Sequence, residues 1–439
     1  MEKGGNMKLK KVILSVLAVS MLLTGCAKEA ETEPSQSENL PPVETEETDA
    51  SPETDTYEGD TDASNIDETG TDESNTDETG TDETDTDETR TYEAEEQYVK
   101  MLGRTHNENG VLWLAHSASG VEFTVKGTQC SVKIVGDSMT GAEGSQARFV
   151  AYVDGERVLD EMITQREAVY EIFSFETEKE VTVTLVKVSE AANSILGIDE
   201  IIVAAADQIA PTAEKNLKIE FIGDSITCGY GVDDEDRDHH FSTNTEDATR
   251  AYAYKTAQLL DADYSLVSYS GNGIISGYTT QGVIVPEQQL SKKYECFAVS
   301  YGNGAGGFKA SSIDWDFSRF TPDIVVINLG TNDYSYTGND EELIGEYIEA
   351  YTEFIKQVRQ NNANSHIICT LGIMGAELYD AICTAAENYT AETGDENISV
   401  FRLSTQNGST GYAADWHPTA ATHDIAAAEL ADYIIALGF

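Results

Sequence analysis

The hydrophobic pattern of this chain changes period at Pro211, so the two sides of that residue call for different folds. Between Tyr98 and Val203 apolar and polar residues alternate, as in Val121-Glu122-Phe123-Thr124-Val125, Ser131-Val132-Lys133-Ile134-Val135, Ala147–Val153 and Val181–Val188. Alternation places every second side chain on one face of a strand, so these segments read as half-buried strands. Asp154-Gly155, between Tyr152-Val153 and Val158, reads as a tight hairpin turn. No helix-period segment intervenes, which predicts an antiparallel β-sandwich, a jelly roll, over residues 97–210. Beyond Pro211, Leu217–Ile222, Ser265–Tyr269, Ile367–Leu371 and the nearly continuous apolar run Asp323–Leu329 read as strands, while Ala251–Leu260, Glu341–Gln360 and Ala420–Leu437 read as helices. Strands alternating with helices predict an α/β domain with a parallel sheet over 211–439, its sites beyond the carboxyl ends of the strands.

The N-terminus reads as an address. Lys8, Lys10 and Lys11 precede an apolar run, Val12–Leu23, that is short for a membrane span and closes on Leu23-Thr24-Gly25-Cys26. This segment resembles the lipobox of bacterial lipoprotein signal peptides. The resemblance implies cleavage, lipidation of Cys26 and an extracytoplasmic protein held at the cell surface by its lipid alone. From residue 27 to 96 there are 27 acids against two bases, and Thr69-Gly70-Thr71-Asp72-Glu73 recurs as Thr79-Gly80-Thr81-Asp82-Glu83. Almost nothing apolar offsets the entropy of ordering, so this stretch is expected to be a disordered, self-repelling tether. That stretch supplies about half of the net charge of −52, which argues against nucleic acid as a partner. The six cysteines form no C-x-x-C pair, and those other than Cys26 read mainly as small buried hydrophobes.

Three segments carry chemistry. Gly223-Asp224-Ser225 follows the first apolar strand of the second domain, Gly330-Thr331-Asn332-Asp333 follows another, and Asp415-Trp416-His417-Pro418 precedes the last helix. A serine freed at a strand end needs a base for its proton and donors for an oxyanion, and these segments can supply both. Ser225 reads as nucleophile and His417 as base. Gly271 lies past a third strand end, with Gly273 competing for the same part. The same triplet at Gly136-Asp137-Ser138 has no partner segments before the next domain begins, so Ser138 reads as a turn residue.

Gly223-Asp224-Ser225, Ser270-Gly271, Gly330-Thr331-Asn332-Asp333 and His417 resemble the four blocks of the SGNH (GDSL-type) hydrolases. With a β-sandwich in front and the run G-D-S-I-T-C-G-Y-G over 223–231, residues 100–439 are similar to family 2 of the carbohydrate esterases. The resemblance implies a flavodoxin-like catalytic domain and a serine esterase that removes O-acetyl groups from xylan- or mannan-type polysaccharides or oligosaccharides, without metal or organic cofactor. It implies an oxyanion hole made by the Ser225 and Gly271 amides and the Asn332 side chain. Many such hydrolases place an aspartate three residues before the histidine. Here that position is Ala414, so either Asp415 or a backbone carbonyl orients the imidazole. Trp416 and Trp315 are candidate sugar platforms. The acidic run Asp233–His240 lacks calcium-loop spacing and reads as a solvated loop. Two other readings use the same residues: an esterase for lipid or peptidoglycan acetyl groups, and a surface protein that only binds carbohydrate.

Overall fold

The computed structural model describes residues 88–439; the apolar N-terminal run, Cys26 and the acidic stretch up to residue 87 lie outside them. The first layer system contains β1 (Thr89–Tyr92), β2 (Lys100–Leu102), β3 (Thr105–Glu108), β4 (Val111–Leu114), β5 (Gly120–Gly136), β6 (Arg148–Val153), β7 (Glu156–Met162), β8 (Glu167–Lys187), β9 (Leu196–Ala204) and β10 (Ala210–Pro211). Their order is β3-β4-β9-β5-β8-β6-β7, with β1 on β9 and β2 and β10 on β5. All pairings are antiparallel. The long strands β5 and β8 pair along their lengths, and register breaks at Gly127/Gln129 and Cys130/Ser131 bend the pair. The alternating residues named above, among them Phe123, Val132, Phe149 and Val183, close on one buried core. The β6–β7 turn is the expected hairpin: Asp154 and Gly155 both have positive φ, at 50° and 83°, matching the twist of the flanking strands.

One boundary is corrected. The sequence assigns residues up to 96 to the tether, yet Thr89–Tyr92 pairs with Ala204–Ile201, and Tyr92, Ala94 and Val99 are buried. A neighbouring strand edge and an edge-to-face contact between Tyr92 and Tyr98 supply what the local composition lacks.

The second system is a five-stranded parallel sheet: β11 (Leu217–Gly223), β12 (Ala262–Ser268), β13 (Ile324–Asn328), β14 (His366–Ile373) and β15 (Ile398–Thr405). The order β12-β11-β13-β14-β15 is the flavodoxin-like one. Its helices are α1 (Ser225–Cys228), α2 (Tyr252–Leu259), α3 (Thr331–Thr337), α4 (Glu341–Asn361), α5 (Tyr379–Thr393) and α6 (Ala420–Leu437). In β13, Ile324 and Val326 belong to the core shared with α2 and α6, whereas Val325 and Ile327 belong to the core shared with α4 and α5. Both faces are covered, which is why this strand reads as continuously apolar.

Charged groups buried at the seam join the two systems. Arg104, between β2 and β3, is fully buried; it donates to the Tyr294 carbonyl at 2.6 Å and pairs with Glu220 of β11 at 3.3 Å. Tyr294, Trp315 and Phe317 surround its guanidinium. Arg148 of β6 bridges Asp160 and Asp233, each at 2.7 Å.

Candidate active site

Ser225 opens α1 directly after β11, so its N–H is one of the helix-start donors that have no intrahelical acceptor. Asp224 caps this short helix by accepting from the Ile226 N–H at 3.0 Å. The Ser225 hydroxyl lies 2.9 Å from Nε2 of His417. His417 is 9% exposed, and burial lowers its pKa to about 4, against the opposing pull of two carbonyls. Those carbonyls, Ala414 O and Asp415 O, each sit 3.2 Å from Nδ1. A ring facing two acceptors with Nδ1 carries its proton there, which leaves the Nε2 lone pair for the serine hydroxyl.

The carboxylate of Asp415 does not reach the imidazole. It accepts from the Tyr230 hydroxyl at 2.6 Å and the Phe241 N–H at 3.1 Å, and lies 2.8 Å from Nδ1 of His240. These contacts hold it below the usual carboxylate range against its own partial burial. The expectation of an acid-oriented histidine is corrected to a carbonyl-oriented one. Asp415 and Trp416 adopt left-handed φ of 49° and 64°, a strained pair that aims the two carbonyls at the ring. The run Asp233–His240 supports that turn, since Ala414 and Asp415 donate their N–H groups to the carbonyls of Asp234 and His239, both at 3.0 Å. Its role therefore goes beyond that of a solvated loop. The Tyr230 ring stacks on His417, with centroids 3.8 Å apart.

Gly271 and Asn332 come to the same rim, after β12 and β13. The competing Gly273 is occupied: its N–H donates to Gln288 O at 3.0 Å, while the Gly271 N–H has no protein acceptor among the described residues. Glycine is needed at 271 for its φ of +72°, since a Cβ there would meet nothing closer than 3.7 Å. Asn332 is the second residue of α3, whose cap is Gly330, so it does not cap the helix. Its amide nitrogen donates to Asn272 O at 2.8 Å and to Asp224 at 3.2 Å. Asp333 beside it accepts from the N–H groups of Ile274, Ile275 and Ser276, fixing the loop that carries Gly271. Burial raises the pKa of Asp224 to about 7 and of Asp333 to about 6.

Ser225, Gly271, Asn332 and His417 line one cavity of about 590 Å³, together with Tyr230, Tyr278, Thr331, Met374, Asp415 and Trp416. Trp416 is 48% exposed at its rim, under the Arg237 guanidinium at 4.1 Å.

Both halves of the chain match known families. The GDSL-like Lipase/Acylhydrolase family matches residues 221–425, and the carbohydrate esterase 2 N-terminal family matches residues 101–212. A family two carbohydrate esterase from Clostridium thermocellum, solved in complex with cellohexaose, is 30% identical with a TM-score of 0.67; the match covers 77% of this chain and 99% of that one. The chain belongs to the family two carbohydrate esterases. A cellulase/esterase from Acetivibrio thermocellus is 32% identical over 323 residues, 72% of this chain but 36% of that protein, so the chain spans about a third of that relative's length. An acetylxylan esterase / glucomannan deacetylase from Cellvibrio japonicus is 26% identical over 343 residues, covering 77% and 88% of the two chains.

Within this family two esterase, Trp315 is corrected from platform to core: it is 7% exposed, packs on Arg104 and does not line the cavity. Ser138 sits in a turn, exchanging hydrogen bonds with Asn303 at 2.9 Å. Tyr230, Tyr278, Thr331 and Met374 line the cavity without having been singled out. Tyr230 and Thr331 stand inside the quoted blocks, G-D-S-I-T-C-G-Y-G and G-T-N-D, whereas Tyr278 and Met374 had no signal. Glu190, Cys228 and Glu246 are the one trio of metal-ligand types found close together among the described residues. They lie outside the cavity, and burial holds the Cys228 thiol protonated by pushing its pKa well up.

Proposed function

We propose that this protein is a serine esterase that deacetylates polysaccharides or their oligosaccharides, exported and held at the bacterial surface by a lipid on Cys26. The observation that carries the reading is the 2.9 Å contact between Ser225 and a histidine whose other nitrogen faces only carbonyls, with amide donors on the same rim. Ser225 Oγ attacks the acetyl carbonyl carbon while its proton passes to Nε2 of His417. Negative charge develops on the carbonyl oxygen, towards the N–H groups of Ser225 and Gly271 and the Asn332 amide. The longer Asn332 bond, 3.2 Å to Asp224, is the one an oxyanion would replace. Collapse breaks the ester C–O bond, and His417 returns the proton to the sugar oxygen. Water then attacks the acetyl-serine by the same route in reverse, and acetate leaves.

The exposed Trp416 indole beside the histidine supports a sugar ring as the leaving alcohol. The names of the relatives support acetylated xylan and glucomannan as substrates. The run Leu23-Thr24-Gly25-Cys26 supports lipid anchoring. Acetate release from acetylated xylan and glucomannan, measured beside acetylated peptidoglycan and a lysophospholipid, with Ser225→Ala as control, tests the substrate. No release from either glycan, or full release by Ser225→Ala, overturns the reading. Cys26→Ser tests the anchor, which is wrong if that variant still fractionates with membranes.

A further inference from the structure

We propose that Glu190, carried by the sandwich, is a positioning residue for the oxyanion hole of the catalytic domain, acting through the Ser270 N–H next to the Gly271 donor. The proposal rests on the serine-esterase reading above.

Glu190 follows β8 and is fully buried. Its Oε2 accepts the Ser270 N–H at 2.7 Å, and its Oε1 accepts from the Asn193 amide at 3.1 Å. The Glu190 main chain is itself clamped. Its N–H donates to Glu246 Oε2 at 2.8 Å, and the carbonyls of Ser189 and Glu190 accept from Lys187 Nζ at 2.5 and 2.9 Å. A chain of contacts thus runs from the sandwich to the Tyr269–Ser270 peptide, one unit before the one that carries the Gly271 N–H. The Cys228 thiol, on the one-turn helix that Ser225 opens, also touches Glu190 Oε2, at 3.7 Å. One carboxylate therefore contacts both the nucleophile's helix and the oxyanion loop.

The loop itself explains why such a clamp matters. Gly271 sits at φ +72° with its N–H free; the Asn272 side chain holds the carbonyl of the same peptide at 2.9 Å and the Gly271 carbonyl accepts the Tyr278 N–H at 2.9 Å, so where that donor points depends on how the loop is anchored on either side. Downstream, Asp333 holds the N–H groups of Ile274, Ile275 and Ser276. Upstream, the corresponding anchor is Glu190. Donor position decides how much a preorganised amide stabilises developing charge, and an error of a few tenths of an ångström weakens it.

The cost of the arrangement supports the same reading. Burial raises the pKa of Glu190 and Glu246 and lowers that of Lys187 to about 8, so three ionisable groups are kept in the interior. Apolar side chains would fill that volume at lower cost. Lys187 supplies positive charge to the cluster through its coulombic pull on Glu246 and Glu190.

The test uses the full chain with Glu190→Asp and Glu190→Gln. Aspartate keeps the charge but withdraws the acceptor by one methylene; glutamine keeps the reach and loses the charge. Turnover of a small soluble acetyl ester is measured per active site, with sites counted by stoichiometric labelling with an alkyl fluorophosphonate. We expect Glu190→Asp to lose about 10–100-fold in kcat per labelled site with KM within about threefold, and Glu190→Gln to stay within about fivefold of wild type. A residue that only balances the charge of Lys187 gives the reverse order. Glu190→Asp at the wild-type rate, Glu190→Gln as low as or lower than Glu190→Asp, or losses confined to the number of labelled sites overturns the proposal. Wild-type protein that neither labels nor turns over, or Ser225→Ala that does both, overturns the esterase reading instead.

Discussion

His417 Nδ1 lies 3.2 Å from the main-chain oxygen of Asp415, while the side chain of that same aspartate is held by Tyr230, His240 and Phe241. The acid two residues from the base thus shapes the turn, and the peptide orients the ring.

Asp415→Asn should therefore lower kcat by less than about tenfold. Asparagine keeps the shape and tolerates the left-handed φ of 49°, so the carbonyls stay aimed. Removing the acid of a true triad costs about 10⁴. A loss of that size in acetyl-ester kinetics would show that the carboxylate swings to Nδ1 during turnover.

Asn332→Ala should lower kcat by about 10²–10³, the effect of removing one oxyanion donor. KM should change far less, because the ground-state carbonyl carries little charge. Steady-state kinetics on a small acetyl ester separates the two, and a kcat within about threefold of wild type would remove Asn332 from the oxyanion hole.

The pH profile should have its acid limb well below that of an ordinary histidine. His417 works as a base only when neutral, and burial puts its pKa at about 4 rather than 6.5. As the pH falls through about 4 the ring takes up a proton and kcat/KM is lost; between 4 and 6.5 the rate should hold. Asp333 and Asp224 have pKa values of about 6 and 7. A limb at 6–7, where an ordinary histidine and these two carboxyls all titrate, would overturn this prediction.

Truncation should divide the acidic stretch at residue 88. Removing residues 27–87 should leave the melting temperature of the secreted protein unchanged within about 2 °C. Removing residues 27–96 takes away β1, with its pairing to β9, and the buried Tyr92 and Ala94, which should cost about 2–3 kcal/mol. Denaturant titration of the two deletions checks this, and equal stability would show that β1 adds nothing to the sandwich.

Much of the fold was legible because each face of the chain declares its own period. The doubly covered strand β13 reads as a nearly continuous apolar run, and α6 was bounded correctly at Ala420–Leu437. The elements that escaped lacked that signal. The edge strand β15 carries Arg402 and Ser404 outward, and α5 buries mainly alanines with one isoleucine and one tyrosine. At the site, Ser225, Gly271, Asn332 and His417 were readable because each stands next to a strand or helix end. The direction of the Asp415 carboxylate was not, since it follows from a two-residue excursion to positive φ that no local pattern encodes. Glu190 was invisible for a different reason: it reaches its partner loop from another domain, 80 residues away along the chain.

The left-handed turn at Asp415 and Trp416 also limits how this cleft can be changed. The carbonyl that steers the base and the indole on the rim leave the backbone at adjacent residues, so re-aiming one displaces the other. Tyr278, in the loop after β12, and Met374, just past β14, line the same cavity and carry no role in the proton transfer. A redesign of glycan preference has its free variables there, whereas at position 416 selectivity and rate cannot be tuned apart.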